Sequence, residues 1–211
     1  MSAWQDELIA WDEQAFLDLN VWLHEVVGTH VDIGSALRAA NEFGTGWVLV
    51  LAGIVIFSLE RRGGWAWRRI LELGVGSLVA GGASSLLKEL TARPRPQLTL
   101  TGAFETGTVY IGFGESVLGM SWPSGHTTTA FVTATILSAW AQAIPERWRR
   151  RAVQTALYGI AALTGVARVY GAAHYPLDVL SGAILGITLG TLVVVVFRRV
   201  WPLPSREPTP N

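Results

Sequence analysis

Leu177–Phe197 reads LDVLSGAILGITLGTLVVVVF, and this stretch decides the class of the fold. Apart from Asp178 near its start it carries no charge, and Arg198 and Arg199 follow it directly. Its length suits the roughly 20 residues that an α-helix needs to cross a bilayer. Four more apolar stretches precede it: Thr45–Leu59, Ile70–Leu87, Thr127–Ile144 and Val153–Val169. The first and fourth are short and must borrow their flanks to span. Five such stretches in 211 residues, of which 15% are charged, argue against buried helices of a soluble protein. The mean hydropathy of +0.37 agrees. Of ten tryptophans, Trp47, Trp65, Trp67, Trp122, Trp148 and Trp201 fall near the ends of the stretches, the depth that amphipathic rings prefer.

The expected fold is therefore all-α: a polytopic membrane helical bundle of about five spanning helices. Upstream, Ala15–Gly34 has apolar residues at helical spacing, interrupted by Asp, Asn, His and Glu. It reads as an amphipathic helix lying on the membrane interface. A sixth span hidden in residues 10–36 would move the N-terminus to the other side. Met1–Gln14 is acidic and does not resemble a secretory signal. Residues 1–200 read as one membrane-embedded domain, and the Pro-rich tail 201–211 as disordered.

Arginine sets the expected orientation. Arg61, Arg62, Arg68 and Arg69 lie between the first and second stretches, and Arg147, Arg149, Arg150 and Arg151 between the third and fourth. With Arg198 and Arg199 after the fifth, alternation puts all three clusters on one face, the cytoplasmic one by the positive-inside rule. Lys88–Ser124 and Val169–Pro176 then lie on the opposite face. Net charge is zero, which gives no reason to expect nucleic acid. There is no cysteine, so disulfides, thiolate metal sites and a Cys nucleophile are excluded.

The non-cytoplasmic face collects polar residues that are costly at membrane depth. Lys88, Arg93 and Arg95 follow the second stretch, Ser124, Gly125 and His126 open the third, and Arg168, His174 and Asp178 surround the last turn. Lys88 is the single lysine beside fifteen arginines. It is either a remnant of codon bias or a position that needs a compact ammonium. Lys88, Arg95 and Arg168 suit a phosphate dianion. Pro123–His126 opens a helix whose amides and dipole form an anion seat; Ser124 adds a hydroxyl and Gly125 allows close approach. Two histidines allow one to attack phosphorus and the other to protonate the leaving oxygen. Pro176 suits a helix start, and Asp178 is placed to hold the His174 imidazole. No His or carboxylate cluster has metal-ligand spacing, so neither metal nor cofactor is expected.

These residues resemble the type 2 phosphatidic acid phosphatase superfamily, whose relatives include vanadium haloperoxidases. The family pattern of Lys, six residues and Arg-Pro matches Lys88-ELTARP-Arg95-Pro96. Pro-Ser-Gly-His matches Pro123–His126, and Arg, five residues, His, three residues, Asp matches Arg168-VYGAA-His174-YPL-Asp178. The resemblance covers about Leu78–Gly186. One departure is Ala167, where the family usually has Ser before the arginine. The resemblance implies His174 as nucleophile, Asp178 as its orienting group and His126 as general acid. Lys88, Arg95, Ser124, Gly125 and Arg168 would bind the phosphoryl oxygens. It further implies a multi-pass protein of a bacterial plasma membrane. Its substrate would be a lipid phosphate or diphosphate of the undecaprenyl diphosphate, phosphatidylglycerophosphate or phosphatidic acid type, and the arginine clusters put the expected site on the exterior face. A lipid phosphotransferase and a non-catalytic lipid-phosphate binder or transporter are the competing expectations; a soluble haloperoxidase has no use for spanning helices. Arg93 is expected to serve loop structure or headgroup contact. His24 and His30 are expected at the interface without a catalytic part, and Glu105 and Glu115 in solvent.

Overall fold

The computed structural model describes residues 3–45, 48, 51, 55, 65–113 and 119–202. The described residues form helices joined by turns and loops, with no strand among them. Helix α1 runs Ala3–Thr29 and α2 Val31–Phe43; α3 runs Trp65–Thr91. Two short helices follow, α4 (Pro96–Thr99) and α5 (Thr101–Glu105). Then come α6 (Gly125–Trp140), extended by a 3-10 turn at Ala141–Ala143, α7 (Arg147–Tyr170) and α8 (Pro176–Val200).

Four of the five expected apolar stretches fall on these elements. Ile70–Leu87 lies inside α3, Val153–Val169 inside α7 and Leu177–Phe197 inside α8. Thr127–Ile144 corresponds to α6, its 3-10 extension and the next residue. The first stretch, with Trp47, Arg61 and Arg62, lies outside the described residues except for Thr45 and for Val48, Leu51 and Val55, the last three of which are helical. Glu115 and tail residues 203–211 lie outside them too. Among the described residues three segments are long and apolar enough to cross a membrane: Ala66–Glu105, which holds all of α3 but Trp65, then Arg147–Tyr170 and Pro176–Val200. At 16 residues α6 rises only about 24 Å.

Helix α6 is the centre of the bundle, packed by α3, α7 and α8. Its buried face is small and hydroxylated: Thr127, Thr128, Ala130, Thr133, Ala134 and Ser138 are all buried. Small residues let helices approach closely where lipid supplies no hydrophobic drive between them. Helix α8 matches that surface with Gly182, Gly186 and Gly190 at four-residue intervals. A Cβ at Gly182 would sit 2.8 Å from the Ser124 carbonyl oxygen, and one at Gly186 would sit 2.6 Å from that of Thr128. Leu78, Leu90, Leu180, Ile184 and Val196 are exposed on the outside of α3 and α8, as helices wetted by lipid require.

The arginine-rich end is built as well as charged. Arg68 is buried and donates to Glu72 at 2.8 Å and to the Trp201 carbonyl at 2.8 Å. Trp140 Nε1 donates to the same Glu72 oxygen at 2.9 Å, and Arg69 lies over the Trp140 ring. This end of α3 lies about 30 Å along the helix from Lys88.

Helix α1 is longer than Ala15–Gly34, and the chain breaks at His30, the N-cap of α2. Two polar residues of α1 point inward, Asp12 and Asn20, both fully buried, while Asp18, Glu25, Trp4, Trp11 and Trp22 are exposed. Asn20 Nδ2 donates to the Tyr110 and Val169 carbonyls, and its Oδ1 accepts from the Tyr110 amide. His24 stacks on Tyr170 at 4.3 Å and contacts the Tyr170 carbonyl oxygen at 3.2 Å. These bonds clamp α1 onto the end of α7, beside the turn that carries His174.

Candidate active site

The site lies at the end of the bundle opposite the Arg68–Glu72 pair. It is assembled from the C-terminus of α3, the N-termini of α6 and α8, and the last turn of α7. Pro176 occupies the first turn of α8, as its missing N–H favours. The Tyr175 amide donates to Asp178 Oδ2 at 2.9 Å, so the carboxylate caps its own helix. Ser124 is the N-cap of α6 in extended conformation, as Pro123–His126 predicts, and no side chain caps the first amides. The Ser124 amide donates to the Asp178 carbonyl at 3.0 Å, which locks the two helix starts together. Ser124 Oγ, fully buried, accepts from Thr127 Oγ1 at 2.9 Å and keeps its own proton to donate.

His174 is buried on the α7–α8 turn. Arg95 NH1 donates to the Ala173 carbonyl at 3.0 Å and stands 3.4 Å from His174 Nε2. A guanidinium has only donors. Nε2 must therefore offer its lone pair, and the ring proton belongs on Nδ1. Nδ1 faces Asp178 Oδ2 at 3.6 Å, longer than a hydrogen bond, and has no other partner. A shift of about half an ångström would close that contact. Burial is the main reason that the imidazole is pushed down from its ordinary 6.5 to about 3, with the Asp178 contact opposing and Arg95 and Arg168 adding to the fall. His174 is therefore a neutral base at physiological pH.

Asp178 is fully buried and well furnished with donors. Arg93 NH1 donates to Oδ1 at 2.8 Å, and the Ser121 hydroxyl makes a short contact with Oδ2. Arg168, buried near the end of α7, donates to Asn41 Oδ1 of α2 at 2.9 Å. Lys88, Arg95 and Arg168 lie close enough to His126 to act on it electrostatically. Lys88, Ser84, Gly125, His126 and Gly44 line an open cavity of about 340 Å³. A Cβ at Gly125 would come no closer than 4.0 Å to Lys88 Nζ, so the missing side chain leaves room on the cavity side. At Gly44 a Cβ would meet the His126 carbonyl at 2.7 Å, so the end of α2 can press against His126 only as glycine.

All eight expected site residues thus lie at one end of the bundle. Two alanines there, Ala92 (φ 49°) and Ala172 (φ 53°), hold the left-handed region that favours glycine. They sit just before Arg93 and His174, where backbone strain tends to collect. Ala167, the departure from the family pattern, is buried among Phe16, Leu23 and Tyr175. Among the described residues no group of three or more His, Asp or Glu is placed to hold a metal ion.

Sequence reasoning missed Asp12, Asn41 and Ser121. The partners of Asp12 lie 81 and 165 positions away, that of Asn41 127 and that of Ser121 57, so no local spacing marks them. Asp12 is followed by Glu13, Asn41 by Glu42, and Ser121 lies in the loop before α6, so nothing local sets them apart.

Similarity to known proteins bears on this geometry. A 72-residue stretch is 39% identical to a lipid A 1-phosphatase of Porphyromonas gingivalis, covering 34% of this chain and 15% of that protein. A lipid A 1-phosphatase of Rhizobium johnstonii is 30% identical over 138 residues, 60% of this chain and 51% of that protein. A probable diacylglycerol pyrophosphate phosphatase 1 of Schizosaccharomyces pombe is 25% identical over 155 residues, 64% of this chain and 54% of that protein. The matches therefore span about half the length of these curated relatives or less. The crystal structure of Aquifex aeolicus LpxE superposes with a TM-score of 0.61 at 25% identity, covering 82% of this chain and 93% of that one. The PAP2 type phosphatidylglycerolphosphate phosphatase from Bacillus subtilis shares the fold, with a TM-score of 0.66 at 22% identity over 94% of this chain and 90% of its own. The family model of the PAP2 superfamily matches residues 69–202, well over half of the sequence, and the chain belongs to that superfamily.

Proposed function

We propose that this protein is an integral-membrane phosphatase that hydrolyses lipid phosphates or diphosphates through a phosphohistidine on His174, without a resident metal. The observation that carries the reading is the Arg95–His174–Asp178 line: a donor-only guanidinium at Nε2 and a carboxylate beside Nδ1. That arrangement leaves the Nε2 lone pair as the nucleophile and gives the developing imidazolium a counter-charge. Relatives named as lipid A 1-phosphatases and a diacylglycerol pyrophosphate phosphatase support a lipid-borne substrate.

The phosphoryl oxygens take over the donors of Arg95 and meet Lys88, Arg168, the Ser124 hydroxyl and the α6 amides. Transfer of this kind depends on positioning and charge stabilisation. Nε2 forms a bond to phosphorus while the bond to the leaving oxygen breaks. The negative charge of the bound phosphate offsets Lys88, Arg95 and Arg168 around His126, so that His126 takes up a proton and delivers it to that oxygen. The neutral His126 then takes a proton from water, water oxygen bonds to phosphorus, the P–N bond breaks and inorganic phosphate leaves. Substrates of the phosphatidic acid, phosphatidylglycerophosphate, lipid A phosphate and undecaprenyl diphosphate type all fit this chemistry.

The test is phosphate release from such a panel by purified protein in mixed micelles, with and without chelator. Wild type should release phosphate in both conditions, and His174→Ala should lose activity by at least roughly a thousandfold. Undiminished release by His174→Ala would overturn the mechanism, and a strict metal requirement would overturn the metal-free reading. Labelled phosphate recovered on another lipid would favour a phosphotransferase.

A further inference from the structure

Asp12 belongs to α1, outside residues 69–202, and nothing in the phosphate chemistry above uses it. It is nevertheless fully buried with both oxygens engaged. Oδ1 accepts the Leu177 amide at 2.9 Å, at the very start of α8. Oδ2 pairs with Arg93 NH2 at 2.7 Å. The other terminal nitrogen of Arg93 holds Asp178 Oδ1 at 2.8 Å, and the guanidinium lies 4.0 Å over the Tyr175 ring. One arginine thus bridges two buried carboxylates, and one of the two is the partner of His174.

Charge decides what this bridge does. Arg93 alone beside Asp178 would cancel the negative charge that Asp178 offers to the His174 ring. With Asp12 on the far side, the trio carries a net single negative charge. The bridge also sets direction, because Asp178 Oδ1 is tied to Arg93 and Oδ2 is left for Ser121, the Tyr175 amide and the His174 side. We propose that Asp12 is a positioning residue for the reaction: through Arg93 it holds the aim and the charge of Asp178, and so makes α1 part of the catalytic apparatus. This rests on the assignment of His174 and Asp178 made under Proposed function.

The experiment compares steady-state kinetics of full-length protein in micelles, with a short-chain phosphatidic acid as probe. Asp12→Asn keeps the shape and removes the charge. It should lower kcat roughly 10- to 100-fold, the usual cost of disturbing an outer orienting group. KM should stay near wild type, because no phosphate-binding group changes. Asp6→Asn, on the same helix but exposed, should leave both unchanged. In an Asp178→Asn background the effect of Asp12→Asn should shrink to less than about threefold, since the two act through one link. An equal loss in both backgrounds marks a structural role only and overturns the proposal; so does wild-type kcat in Asp12→Asn. If Asp12→Asn fails to fold, Arg93→Lys serves instead, because an ammonium keeps the charge but loses the two-sided fork. It should lower kcat at constant KM, and wild-type kcat there overturns the proposal. His174→Ala separates the two levels: if it is inactive while Asp12→Asn is fully active, the positioning role alone fails; if it is active, the reading beneath it fails.

Discussion

The strongest single statement in the structure is made by His174. A histidine placed among cations and shut away from water cannot hold a proton, and its depressed value of about 3 follows chiefly from burial. The consequence for stability has a definite sign. The unfolded chain binds a proton at this residue near pH 6.5, and the folded chain does not until about 3. Between those values the unfolded state holds more protons, so stability falls as pH drops from 6.5 towards 3 and is unaffected by this group above 6.5. Thermal melts in detergent across that range should show a steeper acid loss for wild type than for His174→Gln. Parallel curves would contradict the assignment. The charged members of the candidate site were legible in the sequence because each is costly where it sits. Lys88, Arg95 and Arg168 put charge at membrane depth, and that cost is readable without coordinates. What was not legible is how each is held. The carboxylate that complements Arg93 and the amide that complements Arg168 come from α1 and α2, and a long-range pair leaves no spacing to read.

Among the elements, α6 and α8 set the precision of the site. Their contact passes through Gly182, Gly186 and Gly190, each facing backbone or Cβ atoms of α6 at under 3 Å from where a methyl would stand. Gly186→Ala would press on the Thr128 carbonyl and on Phe131 Cβ, both 2.6 Å away, and neither can swing aside. It should cost about 1–3 kcal/mol, the usual penalty of overpacking, and should lower activity as well because Ser124 moves with α6. Gly159→Ala meets nothing within 4 Å and should be neutral or stabilising, since alanine favours helix. Equal melting temperatures for the two variants would refute this account of the interface. The long apolar helices were readable from composition, but the sense of α1 was not. A stripe of Asp, Asn and His beside Trp and Leu reads the same whether the polar side meets water or a polar bundle interior. Only the buried partners of Asp12 and Asn20 show that these two face protein, while Asp18 and Glu25 stay exposed.

Across the whole molecule, the two ends of the bundle carry different chemistry. One holds Arg68, Arg69 and Arg198 around a pocket with Glu72 and Trp140; the other holds the cations of the site. Both ends are positive, so charge alone does not orient the protein. The difference is what each charge is doing. The site cations surround two histidines and an anion seat, whereas Arg147, Arg149 and Arg151 stand in or near solvent on the first turn of α7, free to favour the cytoplasmic side. Under the proposed function, the orientation that this bias favours would place phosphate release outside the cell. The absence of native cysteine makes it directly testable, because an introduced thiol is the sole target of a maleimide. Leu98, 51% exposed beside the site, and Arg149, with its side chain 59% exposed at the other end, are suitable positions. In intact bacterial cells a membrane-impermeant maleimide should label Leu98→Cys and spare Arg149→Cys until the membrane is permeabilised. Labelling of Arg149→Cys in intact cells, with Leu98→Cys protected, would reverse the orientation and place the site on the cytoplasmic leaflet. The substrate would then have to be a lipid phosphate presented from inside.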